Sequence, residues 1–256
     1  FTMALDKTTL ETTIRQAIGW INRKQHPEGF WAGHLESNSC MEAQWILAMH
    51  FLGIKDDPKY EGVVQSILNE QRDDGSWEIY HEAEKGDVNT TVECYAALRC
   101  AGHDPEEDAL KRARAWILEN DAFSIVRTFT KYWLSLIGEW SWKAVPTVPP
   151  ELIFAPSWFP INIYEFSSWA RATIVPISIL SARRPVRPLP PDRRLHELFP
   201  DGRKQYLKKP HQQSAPFFSW EHFFYVADRM LSLYVRFPLK PGRTLAIKTA
   251  LEWIIR

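Results

Sequence analysis

Gln25-His-Pro-Glu-Gly29-Phe-Trp31 returns as Gln71-Arg-Asp-Asp-Gly75-Ser-Trp77, with the glutamine, glycine and tryptophan each displaced by 46 residues. Upstream of the first copy, Ile14, Ala17, Ile18 and Ile21 recur at i, i+3, i+4 and i+7, the spacing of one helical face. Thr8 with Glu11 is an S/T-x-x-E box that predicts the start of that helix. Downstream, Ser39 with Glu42 and Thr90 with Glu93 repeat the box, so Glu93 reads as the third residue of a helix cap. Met41, Trp45, Ala48 and Leu52 follow in one copy, and Cys94, Ala97, Leu98 and Ala101 in the other. Gly53 and Gly102 then fall where a left-handed C-terminal residue belongs. A third copy begins at Ala109 and runs through Trp116 without its Gln…Gly-x-Trp ending. Helix, turn and helix repeated at this period predict an all-α fold of stacked helical hairpins, and no strand-like alternation competes. In the turn, glycine permits the bend, glutamine can bond to backbone at a helix end, and tryptophan can close the gap between repeats.

Composition narrows the function. Thirty-one Lys+Arg balance thirty-one Asp+Glu, which removes the charge excess a nucleic-acid binder needs. No run of about 20 uncharged apolar residues exists to span a bilayer, and the N-terminal stretch lacks the apolar core of a secretory signal. Cys40, Cys94 and Cys100 form an odd, sparse set that fits a reducing compartment. Neither the cysteines nor the eight histidines show metal-ligand spacing, and no glycine-rich phosphate loop appears, so neither metal nor organic cofactor is expected. Twelve tryptophans are far above ordinary usage. They imply either a tryptophan-heavy core or rings that serve chemistry.

The Gln-x-x-x-Gly-x-Trp element resembles the QW motif of terpene cyclases. Three further blocks tighten the match: Val126-Arg-Thr-Phe-Thr-Lys-Tyr-Trp133, Val145-Pro-Thr-Val-Pro-Pro-Glu151 and Asn162-Ile-Tyr-Glu-Phe-Ser-Ser-Trp-Ala-Arg-Ala172. Together they resemble the N-terminal half of the squalene–hopene cyclases, over nearly the whole chain. The resemblance implies an α/α toroid, one of two that meet across a large cavity, with QW turns at Gln25, Gly29, Trp31 and Gln71, Gly75, Trp77. Residues 1–240 would form this toroid, and 241–256 would open the second one, inside whose first helix the chain stops. The implied reaction is proton-initiated polycyclisation of squalene to hopene or hopanol.

That chemistry starts from an Asp-x-Asp-Asp acid, which the family carries in its second toroid. Asp56-Asp57 and Asp73-Asp74 are the only Asp pairs here, and neither has an Asp two positions earlier. No catalytic proton donor is therefore expected in these 256 residues, and the chain alone is expected to be inactive. What remains is cavity wall. Phe166, Trp169, Ala170, Thr173 and Ile174 share one helical face. By resemblance, Trp169 faces the substrate, while Phe166 and Ile174 narrow an apolar entrance channel. Phe129 and Trp133 are further cavity candidates. Also by resemblance, Arg127 joins Glu93 and a second acid in a polar patch at the cavity end, but the position of that acid holds Gln44.

Residues 182–212 read as a proline-rich, basic connection. Residues 217–237 read as an aromatic amphipathic helix suited to a bilayer surface, or as a helix buried between toroids. The resemblance implies a monotopic protein on the cytoplasmic face of the membrane. Its partners would be squalene or a similar isoprenoid and the C-terminal toroid of the same protein; it admits a homodimer, and no nucleic acid is expected. Two alternatives stand beside this reading. One is a cyclase of another long isoprenoid, meroterpenoid or tetraprenyl, which Gln44 favours. The other is a non-catalytic α/α toroid that binds a lipid or a partner; prenyltransferase β-subunits share the toroid, but no zinc-ligand set is present.

Overall fold

The computed structural model describes residues 6–31, 38–54, 56–158, 162–200, 202, 222, 226, 229–231, 233–234, 240 and 242–255, and among these it is helical with no strand. Most of the amphipathic stretch 217–237 lies outside the described residues; His222, Val226, Arg229, Met230, Leu231, Leu233 and Tyr234 are helical. The chain divides into two units, residues 1–37 and 38–256.

The first unit consists of α1 (Lys7–Lys24) and the first QW turn. Its cap is Asp6, whose carboxylate accepts from the Thr9 amide, not the Thr8–Glu11 box expected from sequence. Asp caps better than Thr, and its charge also suits the positive end of the helix dipole. The last turn of α1 leaves carbonyls without helical partners. The Trp31 indole donates to one of them, Ile21 O, at 2.8 Å, while the Gln25 amide closes the turn onto Gly29 O at 2.9 Å. Gly29 sits at φ 91°, where a Cβ is disfavoured.

The second unit repeats this device. Helix α3 (Tyr60–Asn69) ends in a turn where Trp77 Nε1 donates to Ile67 O at 2.7 Å and Gln71 donates to Gly75 O at 3.0 Å. Helices α2 (Ser39–Leu52), α4 (Val88–Ala101) and α7 (Thr128–Leu136) pack on one another, α3 packs chiefly on α2 and also on α4, and α5 (Asp108–Glu119) packs on α4. The short α6 (Ala122–Ile125) links α5 to α7. Eleven of the fourteen residues of α4 are buried, so this helix is covered all round.

Helix α2 departs from its predicted face. Ser39, Cys40, Ala43, Ile46 and Leu47 are buried, whereas Met41 and Leu52 are exposed. The helix is apolar on most of its circumference, so periodicity does not select a side and packing on α4 does. Both predicted capping boxes also move. Asn38 caps α2 and Asp87 caps α4, the latter accepting from the Thr90 amide at 2.8 Å. Glu93 is thereby released from any capping role.

Gly53 and Gly102 end α2 and α4 in the left-handed conformation, as their sequence positions predict. The proline-rich stretch then returns across these ends. Its amides donate to α7 and the residue after it, Arg187 N to Leu136 O at 2.8 Å and Leu189 N to Ile137 O at 3.1 Å. Arg187 lies over Gly53, and Arg193 lies over Gly102 while donating to Cys100 O at 2.8 Å. Cations thus sit at the negative ends of two helix dipoles. The buried Arg99 fastens the same stretch, through Glu197 Oε1 at 2.9 Å and Asp192 O at 2.8 Å.

A second, smaller core joins α8 (Ser168–Arg183), the turn Pro150–Phe154 and α9 (Arg243–Ile255) through Ile153, Ile163, Val175, Ala246 and Ala250. Arg243 pairs with Glu151 at 2.5 Å there.

Candidate functional site

The N-terminal ends of α2, α4 and α7 bring together the three residues of the expected polar patch. Helix α2 supplies Cys40 and, one turn on, Gln44; α4 supplies Asn89 and Glu93; α7 supplies Thr130, with Arg127 as its N-cap residue. Asn89 orients α7 by accepting from the Arg127 amide at 2.7 Å. Glu93 is 0% exposed, and a carboxylate in that position needs donors on both oxygens. Thr130 Oγ1 donates to Oε1, and the Arg127 guanidinium stands 3.5 Å from the same oxygen. Gln44 Nε2 donates to Oε2 at 2.7 Å, and the Cys40 thiol donates to it at 2.9 Å. Burial, followed by the charge of Glu93, pushes the Cys40 thiol up to about 12, so it remains a donor at neutral pH. Burial works against the Arg127 charge, but Glu93 and Cys40 together hold its pKa above the ordinary value.

Gln44 sets the balance of this cluster. With an amide there, one carboxylate faces one guanidinium, and the amide N–H serves as a donor where an acid would have repelled Glu93. Gln44 is half-buried and the Arg127 side chain is 37% exposed, so the cluster opens on that side. A group arriving there meets a guanidinium and an amide over a buried anion.

Phe129, on the first turn of α7, is 42% exposed, and Trp133 is partly buried against the main core. Trp169 stands on the first turn of α8 and is 76% exposed; Ile174, further along α8, is half-buried. Phe166 does not share the helical face of Trp169, as the spacing had suggested. Ser167 caps α8 by accepting from the Ala170 amide, which leaves Phe166 outside the helix. Helix α8 packs on α9 and on the Pro150–Phe154 turn. A separate cleft of about 690 Å³ lies at the opposite, C-terminal ends of α2 and α4, lined among others by Met49, His50, Tyr60, Arg187 and Arg193.

Sequence reading missed Cys40, Asn89 and Thr130. Helical spacing offered a signal for each, since Cys40 precedes Gln44 by four residues, Asn89 precedes Glu93 by four, and Thr130 follows Arg127 by three.

Residues 14–256 match the family model described as the squalene-hopene cyclase N-terminal domain. The chain belongs to that family. The squalene–hopene cyclase of Alicyclobacillus acidocaldarius is 37% identical over 243 residues, which cover 95% of this chain and 37% of the relative. The dammaradiene synthase of Dryopteris crassirhizoma is 30% identical over 249 residues, and the squalene–hopene cyclase of Zymomonas mobilis is 31% identical over 247. Each alignment covers 96% of this chain and 36% of the relative. The chain thus spans little more than a third of the length of these curated relatives. Its all-α hairpins and paired QW turns accord with membership of the squalene–hopene cyclase family.

Proposed function

We propose that this chain forms the N-terminal wall of the substrate chamber of a class II triterpene cyclase acting on squalene. The observation that carries the reading is the buried Glu93–Arg127 cluster, with its half-open Gln44, in a chain of this family. Protonation of a terminal alkene creates a tertiary carbocation, and the carbocation must meet walls that stabilise it without adding to it. Ring faces do this, each contributing about 0.5–2 kcal/mol when desolvated. Trp169, Phe129 and Trp133 are assigned to that wall, and Phe166 and Ile174 to the entrance through which an apolar substrate arrives. The proton comes from an acid outside these 256 residues, which contain no Asp-x-Asp-Asp. At the cluster end, the last cation either loses a proton to give an alkene or captures water, then loses a proton, to give an alcohol.

Incubation of the protein that carries this sequence with detergent-solubilised squalene, followed by gas chromatography–mass spectrometry, tests the proposal. Cyclic triterpenes are expected, and unchanged squalene would overturn it. Gln44 favours a second reading, in which the substrate is a different long isoprenoid. Faster turnover of a tetraprenyl or meroterpenoid substrate than of squalene would select it. Squalene is nearly insoluble in water, so the same proposal places the protein on the cytoplasmic face of the membrane. No described helix is long and apolar enough to cross a bilayer. Flotation with anionic liposomes is expected, and recovery of all protein from the dense fraction would contradict surface binding.

A further inference from the structure

Cys40 occupies the centre of the cluster. Its sulfur lies 2.9 Å from Glu93 Oε2, 3.0 Å from Gln44 Nε2 and 3.1 Å from Arg127 Nη2. The thiol proton goes to the carboxylate, and the sulfur accepts from the amide and from the guanidinium. By contrast, Arg127 approaches Glu93 directly only at 3.5 Å, beyond the usual range of a strong charge-assisted bond. Arg127 Nε is buried without a hydrogen-bond partner among the described residues. Among the described residues the sulfur is therefore the closest acceptor to this guanidinium, and it connects the cation to the anion.

We infer that Cys40 is a positioning residue, a sulfur bridge that holds the Arg127 guanidinium against Glu93 and so sets the field at the open side of the cluster. The functional consequence rests on the proposed cyclase reading. A fixed guanidinium compensates the carboxylate. Once released, it leaves a negative field that favours removal of a proton from the last carbocation over capture of water. Serine at position 40 keeps a donor and an acceptor at the same place, whereas alanine keeps neither.

Two readouts on the protein that carries this chain test the inference. The first is a double-mutant cycle of melting temperatures over Cys40→Ala and Arg127→Met, with Arg127→Gln as the alternative should Met prevent folding. A bridge predicts that the two losses fall short of additivity by about 2–4 °C, and additive losses would overturn it. The second is the alkene-to-alcohol ratio of the cyclised product. Cys40→Ala is expected to raise it about threefold or more, with Cys40→Ser within about twofold of the parent protein. A ratio unmoved by Cys40→Ala, or moved equally by Cys40→Ser, would refute the positioning role. If the parent protein yields no cyclic product, the cyclase reading fails, and the melting cycle alone decides whether the sulfur is a bridge.

Discussion

The turns at residues 25–31 and 71–77 have the same internal wiring and different surroundings. In both, glutamine donates to the glycine carbonyl four residues on, and tryptophan donates to a carbonyl ten residues back. Both glycines are left-handed, at φ 91° and 87°. Yet Trp77 is wholly buried and Trp31 is 51% exposed. Gln71 also donates to Ala109 O at 2.8 Å and accepts from Arg112 at 2.8 Å, which ties its turn to the next hairpin of the same unit. The motif is thus a local device first, an indole that caps a helix end. At Gln71 it is also a connector between repeats, because the following helix reaches the glutamine.

Six substitutions, in three matched pairs, sharpen or break that comparison. Trp77→Ala removes a buried ring and leaves Ile67 O unpaired, so it is expected to lower unfolding stability by about 3–5 kcal/mol in urea titrations. Trp31→Ala should lose less than half as much, and equal losses would end the distinction. Gly75→Ala comes next. Its new Cβ would stand 2.6 Å from the backbone carbon of Arg112, in a left-handed conformation, for a cost of about 2–4 kcal/mol. Gly29→Ala meets only the conformational demand, about 1–2 kcal/mol by the same measurement. Gln71→Leu forfeits two donated bonds and the one accepted from Arg112, about 1–3 kcal/mol, while Gln25→Leu forfeits one bond, about 1 kcal/mol.

The smallest effect is acid-dependent. Burial raises the Asp74 carboxyl, but the Ser76 hydroxyl and amide bonds outweigh it and hold the group below its ordinary value. A depressed carboxylate stabilises the fold above the unfolded pKa, and that stabilisation is lost as pH falls through the folded one. The second turn should therefore weaken below about pH 4, and Asp74→Asn should flatten that limb. Indole N–H signals followed by NMR from pH 5 downward would report it, with Trp77 responding and Asp74→Asn suppressing the response.

Helices, turns and glycine caps were legible because each rests on a local pattern. The caps of α1, α2 and α4 were misplaced for one reason. Asp6, Asn38 and Asp87 stand one to three residues before Thr8, Ser39 and Thr90, and in each case the earlier residue, an equal or better cap, takes the helix end. That error also gave Glu93 a capping role in place of its buried position among four side chains. Those partners come from elsewhere in the chain, Thr130 being 37 residues away and Cys40 being 53. Cys40 read only as one of a sparse set of cysteines, and only packing reveals a sulfur as a bridge. Likewise, Arg187 and Arg193 read as part of a basic linker, because nothing local marks the helix ends they cover.

The most direct test of the account is cyclisation in D₂O by the protein that carries this sequence. Squalene should yield cyclic triterpenes carrying one non-exchangeable deuterium, since initiation delivers a solvent-derived proton to carbon and termination removes one of the substrate's own. Unlabelled cyclic products, or squalene recovered unchanged, would contradict the assignment of these helices to a proton-initiated cyclase.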